Sequence, residues 1–321
     1  MSSAIRRHWF LVLLASSFLV GYFLSAKFDF ILQWSVVRDS IVFGVMWAMG
    51  VTLPADQIRQ SVRHPKPSLL AIFVNIFAVP VLVLPTCYLL TDELFGGLFV
   101  TAIVPSTLAS ASVWTRRAGG DDSISMMTTV VTNLGCVVIV PIGIWLVLEQ
   151  QIQVNPWLQV SKLSWLVAFP LILAQAMRSL GASGWADRNK TKLGLATQFG
   201  ILSMVFLGAI SSGVTSESDA KGFAGLAMML ALTVCTLLVH WVSLRLGVGL
   251  ARRIGLGPDK QIAIGFAGSQ KTLMVGLQIA IDCGVSILPM VIYHLGQLLV
   301  DTVIADRWKL KLDHGDAGSS P

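Results

Sequence analysis

The sequence predicts an all-α integral membrane protein of ten transmembrane helices, and three observations carry that expectation. Hydrophobic residues make up 55% of the 321 and charged residues only 12%, with a mean hydropathy of +0.75. Soluble domains carry about 25% charged residues, so lipid must be the solvent for most of this surface. The apolar residues fall in runs of roughly 20, the length a helix needs to cross a hydrocarbon core about 30 Å thick. These runs are long and do not alternate, which excludes a closed β-barrel. Finally, the joints between runs are alternately rich and poor in Lys and Arg, as positive-inside topology requires.

The first run, 9–26, follows Arg6 and Arg7 and has the look of a secretory signal. It is longer than a usual signal core and lacks a small-x-small cleavage site, so it reads as the first span. The second, 37–54, starts beside Arg38 and Asp39. The third, 68–90, places Asn75 mid-span, five residues before Pro80. The fourth, 95–116, contains AIVPSTLASASV, with Pro105 among the hydroxyls of Ser106, Thr107, Ser110 and Ser112. In the fifth, 122–148, Ser125, Thr129 and Asn133 recur at i, i+4 and i+8, flanked by Thr128 and Thr132, so one helix face offers hydroxyls and an amide. The sixth, seventh and eighth, 157–179, 193–213 and 222–247, are apolar apart from scattered polar residues such as His240. The ninth, 260–281, contains GFAGSQKT, and the tenth, 285–305, contains His294 and Asp301. Charged or Gly/Pro/Ser-rich joints such as RQSVRHPKP, RRAGGDD and ARRIGLGPDK separate them.

With the N-terminus inside, eighteen of the 23 Lys and Arg fall in cytoplasmic segments, including Arg59, Arg63, Arg116, Arg117, Arg252, Arg253 and Arg307. Lys27, Arg38, Lys162 and Lys221 fall outside, and only Lys271 lies within a span. Both termini are therefore expected in the cytoplasm, in a multi-pass protein of the cell (inner) membrane. Ten spans divide near residue 153 into two fives of opposite orientation, an inverted repeat: 1–153, then 154–306, then a short cytoplasmic tail at 307–321. The unusual stretches occupy matching places, spans four and nine, each the fourth of its half. Interrupted helices at corresponding positions are the best sequence pointer to a transporter's binding site. Unwinding is expected near Pro105–Thr107 and Gly268–Lys271, with the two breaks close together. A plain packing kink competes with that reading, since Pro, Gly, Ser and Thr are common in membrane helices.

Lys271 lies 11 residues from both Lys260 and Asp282, roughly 16 Å along a helix from either. An ammonium at that depth costs about 3 kcal/mol or more unless it finds a partner or water. A structural carboxylate, Asp39 or Asp301, is one candidate partner; a functional role is the other reading. Cys87, Cys136, Cys235 and Cys283 lie apart without a CxxC pair and are expected to pack as buried small hydrophobes. No basic surface interleaved with aromatics points to nucleic acid, and no nucleophile elbow, P-loop, HExxH or dinucleotide glycine pattern points to an enzyme.

The stretches PSTLASASVWTRRAGGDDSISMMTTVVTNL, AGSQKTLMVG and IYHLGQLLVDTVIADRW together resemble the bile acid:sodium symporter superfamily in its SBF-like branch, related to cation–proton antiporter folds. The resemblance covers essentially the whole chain. It implies a panel of spans 1, 2, 6 and 7 and a core of spans 3, 4, 5, 8, 9 and 10, in which broken spans 4 and 9 cross. It also implies a first Na⁺ site at Ser110 and Ser112 with Ser125 and Thr129, and a second at Asn75 and Gln270. Three positions depart from the pattern: Phe266 stands where the family has a coordinating glutamate, Lys271 where it has an asparagine, and Ser112 where span four has an asparagine.

The expected function is secondary transport of a small organic anion by alternating access, with Na⁺ as a possible coupling ion and no other cofactor. The substrate or ion site is expected at Asn75, Ser106, Thr107, Ser110, Ser112, Ser125, Thr129, Gln270 and Lys271. A proton- or cation-coupled exchanger using Lys271 is the first alternative, and a non-transporting receptor or assembly subunit the second; the sequence does not fix the oligomeric state. The topology has a direct test: reporters fused after Arg307 or within 59–66 should read cytoplasmic, and reporters near Asp92 or Glu217 external. A cytoplasmic signal near Asp92 would overturn the ten-span count.

Overall fold

A backbone in lipid must satisfy its own N–H and C=O groups, and a helix does so within one segment. The computed structural model describes residues 3–54, 65–108, 110–149, 155–215 and 223–316, and every element in them is helical. The predicted joints carrying Arg59 and Arg63, the split near 153, and Glu217 and Lys221 lie outside the described residues. The first helix, α1 (Ser3–Phe23), turns through 84° into α2 (Ser25–Phe28) and a 3₁₀ segment. Then come α3 (Ser35–Val51), α4 (Pro65–Phe73), α5 (Val79–Val83), α6 (Asp92–Ile103) and α7 (Ser110–Arg117). The chain continues through α8 (Asp122–Leu148), α9 (Pro156–Leu163), α10 (Phe169–Met177), α11 (Ser183–Arg188) and α12 (Lys190–Thr215). It ends with α13 (Phe223–Arg253), α14 (Pro258–Ser269), α15 (Leu273–Cys283) and α16 (Leu288–Asp316).

Among the described residues six helical stretches are long and apolar enough to cross a membrane, and the bent N-terminal pair makes a seventh. The fourth and ninth runs are not among them because each is two short helices. Pro105 has no N–H and drives the preceding residue out of helical space; Val104 sits at φ −70°, ψ 158°. That break therefore opens one residue before the expected Pro105. In the ninth run the opposite correction applies: Gly268 and Ser269 remain helical, and extended backbone begins at Gln270 (φ −74°, ψ 144°). Gln270 N–H still reaches Phe266 O at 3.0 Å, which carries the helix past the expected start of unwinding. The sixth run also extends beyond its expected end, to Arg188, through a bend at Gly181 whose φ of +106° suits glycine.

The helices pack in two groups. Helices α1, α12, α3 and α10 pack in that succession, while α4, α6, α7, α8, α13 and α16 surround α14 and α15, and α12 also packs against α15. Close approach in the second group depends on glycine: a Cβ on Gly268 would stand 2.9 Å from Val74 Cγ1. The groups are tied by charge at one end. Asp282, at the end of α15, accepts from Arg38 at 3.0 Å and Lys162 at 2.8 Å, and Lys162 also approaches Asp39 at 3.6 Å. Asp39 is thus spent here and does not partner Lys271. The cysteines are free but not uniformly buried: Cys136 and Cys235 are interior, Cys283 is intermediate and Cys87 is exposed. An apolar thiol facing lipid carries no burial requirement, so apolar sequence context does not decide which way it points.

Asp282→Ala should lower stability by roughly 2 kcal/mol, because it leaves two partly buried cations without their shared partner. Asp39→Ala, with a more exposed carboxylate and a longer contact, should cost well under half of that. Thermal unfolding of the detergent-purified variants checks both, and equal losses would show that Asp282 is not the central tie.

Candidate functional site

The site begins with two carbonyls that their helices cannot use. Residues Val74–Ala78 form one π turn, in which Val79 N–H bonds Val74 O, five residues back. Asn75 O thereby loses its normal donor, and the next amide along belongs to Pro80, which has none. At the break after α6, Val104 O lies at a helix C-terminus, where carbonyls lack partners and carry partial negative charge. Lys271 Nζ meets both: it donates to Asn75 O at 2.6 Å, Val104 O at 3.0 Å and Asn75 Oδ1 at 3.1 Å. The side chain is buried, and the ammonium's three donors face three oxygens. The carboxylate partners expected as an alternative, Asp39 and Asp301, are both engaged elsewhere.

The two breaks meet directly, with Thr272 N–H donating to Pro105 O at 2.9 Å. Side chains from neighbouring helices replace the remaining lost backbone bonds. Asn75 Nδ2 lies 3.0 Å from Gln270 O and 3.2 Å from Gly268 O. Ser106 Oγ donates to Ala267 O at 2.9 Å, and Tyr293 OH to Ser269 O at 2.8 Å. Gln297 acts as a peptide mimic for Lys271, accepting from its N–H at 2.9 Å and donating to its C=O at 3.0 Å. On the α6 side, Thr132 Oγ1 accepts from Ser106 N–H, Asn133 Nδ2 donates to Ser106 O, and Thr129 Oγ1 donates to Thr107 O at 3.1 Å.

A second strand of the network runs sideways. Ser110 Oγ lies 3.3 Å from Thr107 Oγ1 and donates to Gln270 Oε1 at 2.9 Å; Gln270 Nε2 donates to Asp301 Oδ2. The other oxygen of Asp301 faces His240 Nε2 at 2.8 Å, with both side chains buried. Seven of the nine residues expected to form the site fall into linked sets: Asn75 with Lys271, Ser110 with Thr107 and Gln270, and Ser106 and Thr129 on the breaks. Ser125 stands apart, its hydroxyl 2.7 Å from Thr115 Oγ1, and Ser112 is buried. Sequence reasoning left Gln297, His240, Asp301, Tyr293, Thr132 and Asn133 out of the site. Tyr293, Gln297 and Asp301 recur at i, i+4 and i+8 in the tenth run, a signal as regular as the stripe in the fifth span.

One of the two positions implied for Na⁺ is already filled in this arrangement. At the second position an ammonium fills the place among the neutral oxygens, and the amide of Gln270 is engaged on both sides. At the first, Phe266 is fully buried and stacks edge-on against Trp308, and the hydroxyls of Ser125 and Thr129 bond Thr115 Oγ1 and Thr107 O while their oxygens keep lone pairs. A hard cation there meets no carboxylate oxygen from position 266.

The sequence of residues 8–310 matches the model of the SBF-like CPA transporter family. Protein PA2026 of Pseudomonas aeruginosa is 29% identical over 240 residues, covering 71% of this chain and 70% of that protein. "Putative symporter YfeH" of Escherichia coli K12 is 28% identical, covering 67% of this chain and 66% of its own length. Sodium/bile acid cotransporter 7 of Rattus norvegicus is 20% identical, covering 83% of this chain and 81% of that protein.

Replacing the ammonium tests the site without knowledge of its ligand. Lys271→Met should destabilise the protein by roughly 3 kcal/mol, because Asn75 O and Val104 O then lie buried without donors. Thermal unfolding in detergent reads this directly. A melting temperature equal to that of the wild type would mean that the three contacts contribute nothing net.

Proposed function

The chain belongs to the SBF-like CPA transporter family, within the bile acid:sodium symporter superfamily, and from that premise we propose that it is a secondary transporter carrying a small organic anion by alternating access. The superfamily and the apolar helices make it an integral multi-pass membrane protein of a transporter family. The observation that carries the finer reading is the pair of broken helices meeting at Pro105 and Thr272. Irregular backbone at membrane depth is tolerated only inside protein or around a watery path, and it offers unpaired helix ends to a substrate. The two packing groups of helices support a panel rocking against a core, and the matched breaks support two inverted five-span repeats, 1–153 and 154–306, followed by the tail at 307–321. Both termini then lie in the cytoplasm, with the chain in the cell (inner) membrane. No part of this reading calls for catalysis.

The coupling ion follows from Lys271. In this reading the tethered ammonium takes the role that a bound cation has in relatives: it neutralises the α6 end and leaves the helix N-termini of α7 and α15 to favour an anion. Sodium dependence should accordingly be weak. Uptake of a panel of organic anions into vesicles, with imposed Na⁺ or pH gradients, tests both parts. We expect flux that responds little to Na⁺, and a rise in Na⁺ response when Lys271→Asn is combined with Phe266→Glu. Strict Na⁺ dependence, lost in Thr129→Val, would overturn the coupling assignment. Flux that follows pH and is lost in Lys271→Met would favour an exchanger in which the lysine titrates. Absence of flux for every anion would leave a receptor or assembly subunit as the better reading.

A further inference from the structure

Away from the crossover, a cavity of about 310 Å³ opens between α13 and α16, lined by Trp241, Leu244, Arg245, Ile304, Arg307 and Trp308. We infer that it is a binding site for the phosphate headgroup of an anionic phospholipid. Charge, depth and the adjoining surface carry the inference, each independently of the transport reading.

Charge comes first. The guanidiniums of Arg38, Arg116, Arg117 and Arg178 all pair with carboxylates. Among the described residues Arg188, Arg245, Arg252, Arg253 and Arg307 show no such pair, and of these Arg245 and Arg307 border one cavity. The nearest acid in sequence, Asp306, is held by Arg117 through two contacts of 2.8 and 2.9 Å. It therefore leaves the neighbouring cations unneutralised. Arg245 lies over the Trp241 ring at 5.7 Å, an arrangement that holds the guanidinium at the cavity edge. Two guanidiniums around one space are the planar, multidentate donors that phosphate oxygens select.

Depth comes second. Arg245 lies roughly 30 Å along α13 from Phe223, and Arg307 lies roughly 30 Å along α16 from Leu288, at about 1.5 Å per residue. One hydrocarbon thickness thus separates each arginine from the opposite end of its helix, so both lie at headgroup level. Trp241 and Trp308 stand at the same level, where indoles favour the interface. Third, Val234 and Leu238 on α13 and Leu299 and Val303 on α16 are all exposed and continue from the cavity toward the other face. They form an apolar track of the kind an acyl chain covers. A free organic anion would use the arginines but not the track, and this favours the lipid as occupant.

The test uses the full chain in nanodiscs of phosphatidylcholine containing one quarter phosphatidylglycerol. Native mass spectrometry of the released protein should show phosphatidylglycerol retained preferentially. The Arg245→Gln/Arg307→Gln pair should lose about tenfold of that preference. Arg252→Gln/Arg253→Gln, outside the cavity, should leave it unchanged. Should the first pair fail to fold, brominated lipids give a second reading: brominated phosphatidylglycerol should quench tryptophan emission more than brominated phosphatidylcholine in the wild type. That excess should vanish in Trp241→Phe/Trp308→Phe. Undiminished retention in the arginine variant, or equal quenching by both lipids, overturns the site. Displacement of the lipid by millimolar inorganic phosphate would instead make it a soluble-anion pocket and overturn the lipid assignment.

Discussion

The whole centre of this protein depends on one constraint: a carbonyl or amide that leaves a helix inside a membrane must find another partner there. Three local events release such groups, namely the π turn ahead of Pro80, the break at Val104 and the break at Gln270. Each release would cost several kcal/mol in hydrocarbon if left unmet. The surrounding helices answer each one with a specific side chain. Asn75, Asn133 and Gln297 supply amides, Ser106, Thr129 and Tyr293 supply hydroxyls, and Lys271 supplies an ammonium. The polar residues of this otherwise apolar chain are placed by that demand.

Lys271 shows how charge enters such a site without a carboxylate beside it. Three neutral oxygens and the partial charge of a helix end receive it, as they would receive a small cation. Lys271 brings its donors to the crossover, and Phe266 brings no oxygen there. The nearby Asp301 is not idle, since its two oxygens are taken up by Gln270 and His240. The broken helices therefore lean on a single connected network, and disturbing one member moves several others.

Much of this was legible in the sequence. The membrane environment and the unusual fourth and ninth runs follow from run length and from Pro, Gly and polar residues in apolar surroundings. Lys271, Asn75, Ser106 and Gln270 stood out for the same reason. The partner of Lys271 did not: the carboxylates of Asp39 and Asp301 are the obvious candidates in the sequence, whereas two backbone oxygens and the Asn75 side chain receive the Lys271 amine. Backbone groups are present at every residue, and a sequence does not say which are free. His240 looked isolated for a related reason, because its partner lies 61 residues away on another helix.

The sequence by itself determined where the chain is apolar, where its helices must break and which polar groups are carried into the membrane. Those properties are local, set by transfer free energy and by the missing amide of proline. The tertiary structure alone decided which atoms join the two breaks, that a π turn offers Asn75 O to Lys271, and that Ser125 bonds Thr115 while Phe266 fills the space near Trp308. Hydrogen bonds form over about 3 Å and tolerate little misalignment. Which donors reach which acceptors therefore depends on helix register and crossing, and these are fixed only when all the helices pack together.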